Sequence, residues 1–182
     1  MKTLVIHPDD RSTDFLKPIY QPIKDATVIT GKCSKDWLRD LIKDFDRVIM
    51  MGHGCPAGLF AMGQFPNTGG LIIDSTFVEV LQEKECIFIW CNADQFVKRY
   101  ELKGVFSGMF ISDTYEAEYF GYDVKESVVN ESNDKFAQLL SENINDNLEQ
   151  LYLDVKFKYT TFAGHNVIAE YNAQRLEFIN GE

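Results

Sequence analysis

Short apolar runs alternate with amphipathic stretches along the chain. Five of these runs predict β-strands, because each is short, rich in β-branched or aromatic residues, and followed by polar or turn-forming residues. The third and fourth are apolar on both faces, as expected for parallel strands that helices cover from two sides. The predicted strands cover residues 3–6, 26–30, 47–51, 86–90 and 105–111.

Helices are predicted between these strands. Ser34 fits an N-cap before a helix over residues 35–45, in which apolar residues recur every three or four positions. Asp74 or Ser75 begins another helix that runs through Leu81. Further helices are predicted over residues 12–20, 94–100 and 133–151, and residues 167–179 fit either a helix or a strand.

The order of these elements predicts the fold class. Strands that alternate with helices are typical of α/β proteins with a mainly parallel sheet. We therefore expect a single α/β domain over residues 1–182, with a mostly parallel sheet between two layers of helices (a three-layer α/β/α fold). Residues 52–70 are rich in Gly and Pro and predict a long loop with a small hairpin.

Composition narrows the class of protein and its partners. The chain has 182 residues, of which 45% are hydrophobic and 25% charged, which excludes a disordered or coiled-coil protein. Its 18 Lys and Arg against 28 Asp and Glu give a net charge of −10, so nucleic acid and anionic membranes are not expected partners. We expect no signal peptide and no membrane span, because no apolar stretch is long enough.

The four cysteines show no paired C-x-x-C spacing, and we expect them to be reduced thiols in the cytoplasm. Zinc is the competing chemistry, since His53, Cys55 and Cys91 are ligand types that zinc binds. Cys86 begins the same strand that Cys91 follows, about 16 Å away, so a fourth ligand is not evident. We predict no metal and no cofactor, because nucleotide-binding glycine motifs are also missing.

The candidate chemistry follows two strands of the predicted sheet. Parallel sheets place their sites beyond the carboxyl ends of the strands, where strand three leads to Gly52-His53-Gly54 and strand four to Cys91. If these strands are neighbours, their ends lie about 4.8 Å apart. A thiolate and an imidazole then form a nucleophile and its acid–base partner. The amides of Gly54 and Cys91 are the predicted oxyanion donors.

Simpler interpretations of the same residues stay open. A buried free cysteine is often only a small core side chain, and a histidine between glycines can serve only a turn. Asp9 and Asp10 after strand one resemble the acidic pocket of response-regulator receiver domains. We set that aside because strand three ends in His53 rather than in an acceptor Asp. His7 is interpreted as incidental.

The sequence resembles the caspase-like cysteine peptidases, the group that includes caspases, metacaspases, legumain, gingipains and CHAT domains. The resemblance rests on Arg47-Val-Ile-Met-Met-Gly-His-Gly54, on Gly69-Gly-Leu-Ile-Ile-Asp74 with its helix, and on Cys86-Ile-Phe-Ile-Trp-Cys91. It implies a caspase-like fold, with His53 as catalytic histidine and Cys91 as nucleophile in peptide-bond hydrolysis. The alternative is a catalytically inactive, caspase-like interaction domain.

The predicted partner is a peptide or protein substrate. The loop after strand five carries Asp113, Glu116 and Glu118, which we expect at the same rim as the dyad. Three carboxylates there fit a pocket for a Lys or Arg side chain before the cleaved bond. The simpler interpretation is a solvated acidic loop.

Overall fold

A computed structural model describes residues 1–63, 65 and 68–181. The strands are β1 Thr3–Ile6, β2 Thr27–Ile29, β3 Arg47–Met51, β4 Gly54–Cys55, β5 Gly58–Phe60, β6 Leu71–Ile73, β7 Glu85–Ile89, β8 Gly104–Ser107 and β9 Leu176–Ile179. The α-helices are α1 Lys35–Ile42, α2 Val78–Leu81, α3 Ala93–Arg99, α4 Thr114–Tyr119, α5 Glu126–Asn143, α6 Leu148–Ala163 and α7 Val167–Gln174. Two 3-10 helices cover Arg11–Tyr20 and Ser75–Phe77.

The central sheet has six strands in the order β2-β1-β3-β7-β8-β9. Its first five strands are parallel, and β9 runs antiparallel to β8. A separate antiparallel sheet of β4, β5 and β6 contains the small hairpin expected after β3. Residues 64, 66 and 67 of the predicted 52–70 loop lie outside the described residues.

Helices cover the central sheet on both faces, which confirms the three-layer α/β/α prediction. On one face Ile49 and Ile87 pack with residues of the first 3-10 helix, α5 and α6. On the other face Val48 and Phe88 pack with residues of α1, α2 and α3. Successive residues of a strand point to opposite faces, so β3 and β7 are apolar throughout because both faces are buried.

A buried arginine fastens the amino end of β3. The Arg47 guanidinium donates two hydrogen bonds to one Glu85 carboxylate oxygen, at 2.9 and 2.6 Å. It also donates to the carbonyls of Ile144 and Asp146, at 2.6 and 2.8 Å. These bonds compensate the buried charge of Arg47 and connect β3, β7 and the α5–α6 connection. They lie at the opposite end of the sheet from His53 and Cys91.

Two predictions beyond strand β7 are wrong, one in the end of a strand and one in the type of element. Strand β8 ends at Ser107, four residues before the predicted end. Its last pairing is with Leu176 of β9, and the Gly108 amide then donates to the Arg175 carbonyl outside the ladder. Residues 113–118 are not a loop: Asp113 caps helix α4, its side chain accepting from the Glu116 amide at 2.8 Å.

The C-terminal third also differs from its prediction. The helix expected over residues 133–151 is two helices, because Asn147 accepts the Gln150 amide and begins α6 after a break. The ambiguous segment 167–179 contains both α7 and β9. No helix in the described part of the chain is long and apolar enough to cross a membrane.

Candidate active site

The register of β3 and β7 brings the predicted pair together. Arg47 pairs with Glu85 and Met51 with Ile89, so each β3 residue faces the residue 38 positions later in β7. The Gly52 amide extends this pattern by donating to the Ile89 carbonyl at 3.0 Å. The same offset relates His53 to Cys91. Both residues therefore leave the same edge of the sheet on neighbouring strands.

Trp90 holds the segment after His53 beside Cys91. Its indole Nε1 donates to the Cys55 carbonyl at 3.2 Å. A Cβ atom on Gly54 would lie only 2.2 Å from the indole Cδ1, so this position accepts only glycine without rearrangement. The predicted oxyanion donor Gly54 thus has a packing reason for its identity. Its amide role stays a prediction.

His53 and Cys91 line one small pocket at the carboxyl ends of β3 and β7. Its volume is about 20 Å³, enough for one water molecule. The wall is mostly apolar, and the first 3-10 helix supplies one side of it. The remaining lining residues are Thr13, Phe15, Leu16, Gly52, Ile89, Trp90, Ser107, Phe110 and Ser112.

The Cys91 thiol is protonated in this state. Its sulfur donates to the Phe110 carbonyl at 3.5 Å. Burial raises the pKa of Cys91 to about 11, and the negative charges of Glu116 and Asp113 add to the rise. Nucleophilic chemistry at this sulfur therefore requires a base that removes the proton during the reaction.

Cys91 lies in a sharp turn between β7 and α3. The next residue, Asn92, has a left-handed backbone with φ 64°, a conformation that Asn tolerates better than most residues. The turn lets α3 begin at Ala93 and leaves Cys91 half-buried at the pocket wall.

Two residues for which the sequence predicts no role, Asp10 and Ser12, lie near His53. Ser12 Oγ lies 2.7 Å from His53 Nε2 and 2.6 Å from Asp10 Oδ1. Hydrogen bonds to Ser12 hold the pKa of Asp10 below its usual value. The sequence does carry a signal for Asp10, because strand one also leads to this sheet edge, in Asp9-Asp10. Ser12 itself gave no signal, because only the fold brings it to His53.

The acidic residues predicted to bind substrate lie around α4. The Glu116 carboxylate accepts from the Ser112 amide and hydroxyl at 2.7 and 3.0 Å. Asp113 is exposed and caps the helix, and Glu118 is exposed on its surface. None of the three lines the small pocket. A substrate role for them stays a prediction.

His7 is buried behind the site. Its ring nitrogens lie 3.3 Å from the Tyr20 hydroxyl and 3.1 Å from the Thr13 hydroxyl. Burial, with help from Lys17, lowers the pKa of His7 to about 4, so the ring is neutral near pH 7. Within residues 1–63, 65 and 68–181, no three or more His, Cys, Asp or Glu side chains are grouped to hold a metal ion.

Comparison with known proteins identifies no family for this chain. No family model and no curated protein matches the chain. Three solved chains are similar in structure. One of them, a flavone reductase, is 15% identical with a TM-score of 0.37, covering 81% of this chain and 65% of that chain. The chain thus spans less than two thirds of that protein, and a similarity at this level defines no function.

Proposed function

We propose that the protein is a caspase-like cysteine-peptidase-type hydrolase with Cys91 as nucleophile and His53 as acid and base. The observation that carries the proposal is the shared offset of 38 residues, which relates His53 to Cys91 as it relates the paired residues of β3 and β7. Their common pocket supports it further. The chain order of β3, hairpin, α2 and β7 also fits the resemblance seen in the sequence.

The reaction follows from these two side chains. The Cys91 thiol proton passes to His53, and the sulfur bonds to the peptide carbonyl carbon while the C=O electron pair moves to oxygen. The C–N bond then breaks as His53 gives its proton to the leaving amine. Water, deprotonated by His53, attacks the thioester, the C–S bond breaks, and the thiolate recovers the proton. No cofactor takes part.

The remaining site residues take supporting parts in this proposal. The amides of Gly54 and Cys91 donate to the developing oxyanion. Asp113, Glu116 and Glu118 attract a Lys or Arg side chain of a peptide or protein substrate. The location that suits four free cysteines is the cytoplasm, where thiols stay reduced.

A catalytically inactive interaction domain with the same fold is the second candidate. The state of the thiol favours it: Cys91 is half-buried, burial raises its pKa to about 11, and the pocket beside it holds only about 20 Å³. An interaction domain needs neither a reactive sulfur nor a substrate cleft. Catalysis by contrast requires the pocket to widen when substrate binds.

A peptide library separates the two functions. We expect hydrolysis, with cleavage after Lys or Arg preferred over Asp, and a loss of at least ~10³-fold in Cys91→Ala. Cys55→Ala is the matched control, because Cys55 is also free and half-buried but does not line the pocket. The interaction domain would be favoured if the wild type hydrolyses no peptide, or if Cys91→Ala and Cys55→Ala lose activity equally. Equal cleavage after Asp and Arg would remove the acidic-rim hypothesis alone.

A further inference from the structure

The hydrogen bonds around Ser12 have a fixed direction. The Asp10 carboxylate can only accept, because its lowered pKa keeps it ionised near neutral pH. It accepts from the Ser12 amide at 2.9 Å and from the Ser12 hydroxyl at 2.6 Å, the length of a charge-assisted O–H···O⁻ bond. The hydroxyl has one proton, and that proton points to Asp10.

His53 must therefore donate to Ser12. The 2.7 Å contact between Ser12 Oγ and His53 Nε2 needs one proton, and the hydroxyl has none left for it. In the neutral form of the ring, the proton consequently sits on Nε2. The unprotonated nitrogen, which can act as a base, is Nδ1.

We propose that Asp10 and Ser12 are positioning residues that hold His53 as the Nε2–H tautomer, so that Nδ1 takes the proton from Cys91. This inference rests on the proposed function of the site. When Nδ1 accepts the proton, the ring becomes a cation with both nitrogens protonated. Nε2–H still donates to Ser12, and Asp10 stays ionised and stabilises the cation without receiving a proton.

The charged groups and the solvent around Asp10 and Ser12 determine how much these residues contribute to the reaction. The charged group bonded to Ser12 is Asp10, which also faces His53 and His7. Lys17, Asp14 and Asp9 are the charged groups that face the neutral His7 behind Thr13. Glu116 and Asp113 act on the other side, at Cys91. Ser12 is exposed, so water weakens its hydrogen bonds. When these bonds are broken, we expect the rate of peptide hydrolysis to fall about tenfold, which is less than the ~10²-fold or more typical of general acid–base groups.

The proposal can be separated from a purely structural role. Asp10 also caps the first 3-10 helix through the Ser12 amide, and Ser12→Ala keeps that bond while it removes the hydroxyl. Ser12→Thr restores a hydroxyl. The matched control is Thr76→Val, because Thr76 makes the same two bonds to Asp74 at 2.9 and 2.6 Å, at the start of the second 3-10 helix.

The experiment is ¹⁵N NMR of the histidine-labelled 182-residue chain at alkaline pH, where imidazole is neutral. His53→Gln identifies the His53 signals. We expect an unprotonated Nδ1 and an Nε2–H proton protected from exchange with water. That protection disappears in Ser12→Ala and persists in Ser12→Thr and Thr76→Val. A proton on Nδ1, or protection unchanged in Ser12→Ala, overturns the proposal.

Alkylation by iodoacetamide at neutral pH supplies the second readout. We expect Cys91 to react about tenfold more slowly in Ser12→Ala than in the wild type or Thr76→Val. An equal rate in Ser12→Ala overturns the positioning role if wild-type Cys91 is reactive. If wild-type Cys91 is as slow as buried Cys86, the proposed function fails, while the NMR result still decides the tautomer.

Discussion

Two turns of this protein have the same local structure and different surroundings. Asp10 and Asp74 each follow a strand, cap a 3-10 helix, and accept from the amide and hydroxyl of the residue two positions later, at 2.9 and 2.6 Å. The second turn meets Lys35, whose Nζ lies 2.5 Å from Asp74 Oδ2. The first turn meets His53 through Ser12.

The position of each turn relative to the sheet, rather than the turn itself, therefore decides which residues it contacts. Strand β1 lies next to β3 in the central sheet, so the turn that follows β1 reaches His53. Strand β6 belongs to the small antiparallel sheet, and Asp74 in the turn after it forms an ion pair with Lys35 of α1. An Asp-x-Ser or Asp-x-Thr sequence therefore predicts a cap, and the fold decides whether it does more.

The largest expected effect is the pH dependence of stability that His7 brings to the region of the first turn. His7 lies behind the first turn with a pKa lowered from 6.5 to about 4, so the unfolded chain binds its proton more readily than the folded one. Its stability contribution is complete above pH 6.5 and is lost as the pH falls toward 4. The total is about 3 kcal/mol. Urea unfolding should show that the free energy of unfolding of the wild type falls across this pH range and that His7→Gln reduces the fall. The same dependence on pH in both proteins would contradict this prediction.

Next in size is the effect of neutralising each carboxylate. Asn is also a good cap, so Asp10→Asn and Asp74→Asn both keep the turns. We expect Asp10→Asn to lower kcat for peptide hydrolysis about tenfold, because the His53 cation loses its counter-charge. Asp74→Asn should leave kcat unchanged and cost ~1 kcal/mol of stability through the lost Lys35 ion pair. Equal effects of the two variants on kcat would erase the distinction between the turns.

The smallest effect tests whether the turns are equivalent as caps. Removing each hydroxyl leaves the amide bond to the aspartate in place, so Ser12→Ala and Thr76→Val should each cost about 0.5–1 kcal/mol of unfolding free energy. Denaturant unfolding measures both costs under the same conditions. A much larger cost for Ser12→Ala would mean that its hydroxyl supports the fold, not only the ring of His53.

The sequence is sufficient for the layers of this fold and for the neighbours β3 and β7. Apolar runs on both strand faces predict buried parallel strands, and β1 and β3 have the predicted bounds. The gap of 38 residues between His53 and Cys91 equals the strand register because both residues follow their strands at the same distance. Local pattern and chain spacing therefore carry that part of the site.

The rest depends on contacts that no local pattern encodes. Ser12 reaches His53 only because β1 and β3 are adjacent and the 3-10 helix begins at Arg11. The raised pKa of Cys91 depends on its burial and on Glu116, which α4 brings near. The acidic segment 113–118 is a helix rather than the predicted loop, because the Asp113 side chain accepts the Glu116 amide and caps it.

We propose that His53 activates Cys91. The rate of alkylation of Cys91, compared with that of Cys55, is the most direct measure of this activation. Mass spectrometry after iodoacetamide treatment at neutral pH gives both rates in one sample. We expect Cys91 to react at least ~10-fold faster than Cys55, and His53→Gln to remove this difference. A Cys91 that reacts more slowly than Cys55 in both proteins would contradict it.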